Sequence, residues 1–175
     1  MSTKADFSAE EWKLVLKAPL MAGLAVVAAS PSGPLGVLRE MFAVGKLVNE
    51  TKTQAEGAGG LSNSLLRSLV AELASPDGRA QLDVSELRGV PPPQLQSHAL
   101  EACRAVAALV DRKATREEAD GVKRWLVAIA QRTAEAAKEG GFLGIGGTEV
   151  SEHEQAALDE IAAIFDERQA PPVES

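Results

Sequence analysis

The 175-residue chain carries 25 Asp+Glu against 18 Lys+Arg, a formal net charge of −7. Its apolar share of 45% is enough to bury a core, and it is dominated by 30 Ala and 20 Leu, with only 4 Ile and no Tyr. Ala and Leu are the strongest apolar helix formers, whereas sheets draw on β-branched and aromatic side chains, so this composition excludes an all-β fold. An acidic surface repels phosphate backbones, and no cluster of five or more Lys/Arg occurs, which argues against a nucleic-acid partner.

The first element in chain order follows a short leader, residues 1–7, read as disordered. Ser8-Ala-Glu-Glu11 has the form of a capping box and predicts a helix from there to about Ala29. Pro19 lies inside it and removes one intrahelical donor, so a kink or split is expected. The uncharged stretch from Ala18 to Leu38 raises the question of a membrane span. Only Ala18–Ala29 is continuously apolar, which is the length of a buried core helix and too short for a span. Glu10, Glu11 and Asp6 also spoil the positive flank of a secretory signal. No membrane span and a cytoplasmic location are the expectations.

Ser30-Pro-Ser-Gly-Pro34 is a turn, and Leu38, Met41, Phe42, Gly45 and Val48 predict a second helix over about 35–54. Leu65, Leu66, Leu69, Val70 and Leu73 share one face of a third, over about 61–74. Ser75-Pro-Asp-Gly78 reads as a turn opening an irregular connector, 75–93, that ends in Val90-Pro-Pro-Pro93. A fourth helix, about 93–113, points Leu95, Ala99, Ala102, Val106 and Leu109 inward. A fifth, about 115–139, opens on the capping box Thr115-Arg-Glu-Glu118 and turns Val122, Trp125, Leu126, Ile129, Thr133 and Ala136 inward. After a loop with five glycines in eleven residues, Gly140 to Val150, the box Ser151-Glu-His-Glu154 opens a last helix with Leu158, Ile161 and Phe165 facing the core. The sum is an all-α, single-domain bundle of six or seven helices over 8–167, followed by a flexible tail, 168–175.

At an offset of 108 residues, Ala22–Gly36 falls over Ala130–Gly144 with six identities in fifteen positions. The shared pattern, Ala-Ala-x3-Gly-x-Leu-Gly, is consistent with two pseudo-repeated helical hairpins. An Ala-rich helix, a short turn and an acidic helix start, as in Ala134-Glu-Ala-Ala-Lys-Glu-Gly-Gly141 followed by Val150-Ser-Glu-His-Glu154, resemble the tellurite-resistance TerB-like proteins. The likeness spans Ala128–Phe165 best, about a third of the chain with its weaker first-half counterpart. It implies an all-helical fold with duplicated hairpins, a bacterial stress role and a divalent metal held by acidic loop residues. The chain departs from the family where an Asp-Gly turn is expected: it has Ser30-Pro-Ser-Gly33 in one half and Lys138-Glu-Gly-Gly141 in the other. A symmetric two-half metal site is therefore not expected.

Candidate sites cluster in the last third. Glu135, Glu139, Glu149, Glu152 and Glu154 gather around one glycine-rich loop, the kind of oxygen donor that calcium or magnesium needs. The same residues also read as solvated helix charges, with Glu152 and Glu154 favoured by the helix dipole. Phe142, Leu143 and Ile145 put three large apolar side chains on that loop, either as a plug into the bundle or as a docking patch for a protein partner or a second copy. The glycines do not make a phosphate cradle, since a helix precedes them, no Lys follows and acidic residues flank them. Cys103 lacks a CxxC partner and falls in an apolar helical pattern, a structural thiol in a reducing compartment. His98 is expected partly buried and His153 solvated, and Trp12 and Trp125 serve as core anchors. No nucleophile motif is present. The functional expectation is a non-enzymatic stress-associated scaffold or binding protein, with a small-molecule or lipid binder, or an enzyme with an internal cavity, as the alternative.

Overall fold

The computed structural model describes residues 1–29, 63–83, 85–139 and 151–166, and nothing of the side chains of 136–139. Among the described residues there are six α-helices and no strand: α1 (Ala9–Ala29), α2 (Ser64–Ala74), α3 (Pro76–Ala80), α4 (Pro92–Lys113), α5 (Arg116–Glu139) and α6 (Glu152–Asp166). Two 3₁₀ turns, Lys4–Asp6 and Ser85–Leu87, complete them. The fold is an all-α helical bundle. The second predicted helix, the 140–150 loop and the tail lie outside the described residues, as does half of the internal repeat.

α1 is the axis of the bundle. Every residue from Ala18 through Val27 is buried, as are Trp12, Val15 and Leu16. A helix apolar on all sides has no solvent face and must be surrounded. α4 covers it most extensively, followed by α5, with α6 and α2 against the rest of its surface. It is the one described helix long and apolar enough to cross a membrane by length and composition, and 72% of its most apolar window is buried within the protein. Pro19 neither splits nor ends it: the helix continues unbroken to Ala29. Proline removes only its own N–H, and Pro19 is itself buried among the packed helices, whose contacts hold the segment helical.

Three helix starts are closed as capping boxes. Ser8 Oγ accepts the Glu11 N–H at 3.2 Å while Glu11 accepts the Ser8 N–H at 2.8 Å. Thr115 with Glu118, and Ser151 with Glu154, repeat the arrangement. The Asn63 side chain caps α2 by accepting the Leu66 N–H, so that helix begins at Ser64, three residues later than hydrophobic periodicity predicts. Ser75-Pro-Asp-Gly78 is not a simple turn but the start of α3: Ser75 Oγ accepts the Gly78 N–H, and Pro76 sits where a helix tolerates it. Gly78 is buried against the end of α2, where an added Cβ would lie 1.9 Å from the Glu72 carbonyl oxygen.

The first seven residues depart from the expectation of a disordered leader. Ser2 and Phe7 are buried, and Lys4–Asp6 form a 3₁₀ turn closed by Thr3 and Asp6. The inward face of α4 is also wider than the predicted stripe. Leu100, Cys103, Ala107 and Val110 are buried with Leu95, Ala99, Val106 and Leu109, whereas Ala102 is only partly buried. A helix lying against both α1 and α6 needs a broad apolar surface. Trp12 and Trp125 are core residues, at 2% and 0% exposure.

Candidate functional site

A densely bonded polar group is Glu118, in the first turn of α5. The residue is 6% exposed, and donors from three parts of the chain converge on its carboxylate. Ser2 gives it both its N–H and its hydroxyl, each at 2.9 Å. The Ser64 hydroxyl from the start of α2 makes a short contact with the same oxygen as the Ser2 N–H. Thr115 contributes its N–H at 3.2 Å and its hydroxyl at 2.9 Å. The Asn63 side-chain amide donates to the Glu118 carbonyl at 3.0 Å, fixing the α2 start onto α5. Burial on its own raises a carboxyl pKa. Here the hydrogen bonds from Ser64, the Ser2 N–H, Thr115 and the Ser2 hydroxyl outweigh it and hold Glu118 at about 2. The N-termini of α2 and α5 meet at this carboxylate, and both helix dipoles favour its charge. It is an anchored anion.

Among the described residues, the other buried charges, Lys123 and Glu154, are also tied. Lys123, with 4% of its side chain exposed, is ion-paired across the α4–α5 hairpin to Asp111, whose side chain is half exposed. Glu154 is buried and accepts the Ser151 N–H at 3.0 Å and the Ser151 hydroxyl at 2.9 Å. Cys103 is fully buried, and desolvation pushes its thiol up to about 12, which removes thiolate nucleophilicity at neutral pH. His98 is exposed, contrary to the expectation of partial burial, because its position beside Ala99 falls just off the inward face of α4. His153 is exposed, as expected for a first helical turn.

The acidic set predicted for a metal divides. Glu135 is exposed and ion-paired one turn away with Arg132 at 3.1 Å. Glu152 is exposed, and Glu154 is committed to its cap. Glu149 and the Glu139 side chain lie outside the described residues, as do Phe142, Leu143 and Ile145. Among the described residues, no three His, Cys, Asp or Glu side chains gather closely enough to hold a metal ion.

The surface of the described residues also carries depressions. A groove of about 360 Å³ runs between α5 and α6, with Val127, Ala128, Ala162, Ala163 and Phe165 as its apolar lining and Asp120, Lys123, Arg124, Gln131 and Asp166 as its polar lining. A second, polar one lies between α4 and α6 around the Arg104–Glu160 ion pair. Both are open to solvent.

No family model, no curated protein and no solved structure matches this chain.

Sequence reasoning identified Glu118 as a cap but missed its long-range role. Ser2 and Ser64 are 116 and 54 residues away from it, and no local pattern encodes that meeting. Lys123 belongs to no motif that the sequence offers. Its flank by Val122, Trp125 and Leu126 is the signal that places it at the margin of the apolar face.

Proposed function

We propose that this protein is a non-enzymatic scaffold or binding protein, a helical body of the bacterial stress-associated, TerB-like kind that works in the cytoplasm through surfaces and not through chemistry. The observation that carries this reading is the commitment to structure of the buried reactive groups among the described residues. Glu118 joins two helix starts to the N-terminal segment, Lys123 pairs with Asp111, Glu154 caps α6, and Cys103 is a desolvated thiol. A catalytic centre instead needs titratable groups presented to a substrate cleft with pKa values near the working pH. The family component of the reading rests on the resemblance of Ala128–Phe165.

The divalent-cation component rests on the sequence around 140–154. Glu154 has its carboxylate engaged by Ser151, and Glu135 faces Arg132, so Glu139, Glu149 and Glu152 are the donors left to such a site. Calorimetric titration with calcium, magnesium and zinc tests it. Saturable heat and a raised melting temperature support a cation at the loop, and their abolition in a Glu149→Gln/Glu152→Gln variant assigns it there. No heat and no stabilisation remove the cation while leaving the scaffold reading in place. The α5–α6 groove, whose lining is half apolar (Val127, Ala128, Ala162, Ala163 and Phe165), favours the competing reading of a small-molecule or lipid-binding protein. Saturable displacement of a fluorescent fatty-acid probe, lost on Ala163→Trp, would support that alternative.

A further inference from the structure

The N-terminal segment has the features of a detachable strap. Residues 2–7 cross from α2 to the α4–α5 junction and are held at four points. Ser2 sits on Glu118, with the Ser64 hydroxyl 3.1 Å from the Ser2 carbonyl oxygen. Lys4 pairs with Glu72 at 2.8 Å, and the Lys113 ammonium donates to the Asp6 carbonyl at 3.1 Å. The Phe7 ring leans on the Trp12 indole with centroids 5.7 Å apart. Phe7 is the strap's one large apolar anchor, and the others are polar contacts.

Each neighbouring element is complete without the strap. α1 is capped by its own Ser8–Glu11 box, α5 by Thr115–Glu118 and α2 by Asn63. The strap is likewise closed on itself, since Asp6 accepts the Thr3 N–H and the Thr3 carbonyl accepts the Asp6 N–H. Between the two closed units Phe7 is extended, at φ −113° and ψ 147°, and serves as the hinge. Closure also carries an opposing cost. The Trp12 Nε1–H is buried without a hydrogen-bond partner, and an unmet buried donor favours any state that admits water to it.

We propose that residues 2–7 form a latch that opens as a unit about Phe7, ahead of the unfolding of the bundle, with the Glu118 carboxylate as its catch. Opening uncovers the Glu118 carboxylate and the Ser64 hydroxyl at the joint of α2 and α5, and frees one face of Trp12. This holds whether or not the scaffold reading is right, because it concerns how the chain closes on itself.

Trypsin cleavage of the full chain after Lys4, followed by mass spectrometry under native conditions, tests it. A closed latch cleaves there far more slowly than an unfolded chain does, with little dependence on urea, because local opening exposes little surface. Cleavage after Lys123 in α5 is slower still and depends steeply on urea. Glu118→Gln keeps a residue that suits the capping box but offers one acceptor oxygen in place of two, and it accelerates cleavage after Lys4 about ten- to a hundredfold, as expected for losing a hydrogen bond to a charged group. Ser2→Ala, which leaves the Thr115–Glu118 cap untouched, accelerates it in the same direction and decides the matter should Glu118→Gln unfold the bundle. The latch is overturned if cleavage after Lys4 shares the rate and urea dependence of cleavage after Lys123. It is also overturned if the wild-type chain is cut there at the rate of an unfolded chain, or if neither variant changes the rate.

Discussion

Glutamine at position 118 gives the sharpest quantitative prediction. The Glu118 carboxyl is held at about 2 in the folded protein against an ordinary 4.5. That difference corresponds to about 3 kcal/mol of stability at neutral pH, an order-of-magnitude figure for a side chain this deeply buried. Because the folded value lies below the unfolded one, the contribution is fully present above about pH 5, begins to fade near 4.5 and is exhausted once the pH has fallen through about 2. By pH 3, roughly 2 kcal/mol of it should be gone. Glutamine does not titrate in this window. The exposed carboxylates that are also held low, Glu11 by the Ser8 N–H and Lys113, and Glu86 by Lys17, are common to both proteins and cancel in the difference. Urea unfolding of wild type and Glu118→Gln at pH 7 and pH 3 reads the gap directly. Wild type should be the more stable at pH 7, with the gap closing by roughly 2 kcal/mol at pH 3. A gap of the same size at both values would refute the idea that ionisation of this side chain stabilises the fold.

Other substitutions probe the rest of the polar framework. Asp111→Ala strands the buried Lys123 ammonium and should cost about 2–3 kcal/mol, whereas Lys123→Met leaves only the half-exposed Asp111 and should cost under about 1 kcal/mol, both read from urea midpoints. An alanine at Gly121 would place its Cβ 2.3 Å from the Asn63 side-chain nitrogen, displacing the residue that caps α2 and bonds the Glu118 carbonyl. The expected loss for Gly121→Ala is about 1–3 kcal/mol by thermal or chemical melting, and an unchanged midpoint would show that Asn63 is dispensable. Cys103 should resist a thiol reagent at pH 8 in the folded protein and react at the rate of an open chain in denaturant, given its burial and a thiol pushed up to about 12.

The helices were legible where local signals carry them. The three Ser/Thr-x-x-Glu boxes mark the starts of α1, α5 and α6, and their reciprocal bonds are the ones the spacing requires. Trp125, Leu126 and Ile129 lie inward as their three-four spacing implies. What the pattern could not give was partnership. The same Ser-Pro-Asp-Gly tetrapeptide supports a turn or a helix start, and the packing of Gly78 against Glu72 is what selects the helix. Residues 1–7 look like a leader because their anchoring acceptor, Glu118, is remote in sequence. The breadth of the α4 face likewise reflects three neighbours, α1, α5 and α6, and a single helical stripe counts only one. At the candidate site, the acidic character of 135–154 was plain, but whether each carboxylate serves a cap, an ion pair or a ligand is decided by neighbours that spacing does not name.

The central claim is that α1 is the interior axis around which an alanine- and leucine-rich chain assembles. Amide hydrogen exchange along α1 tests it most directly. Residues 20–27 should exchange only through global unfolding, with the same free energy as the buried face of α4 around Val106. Exchange at 20–27 that outpaces the outer helix α6, in aqueous buffer and without denaturant, would contradict the account.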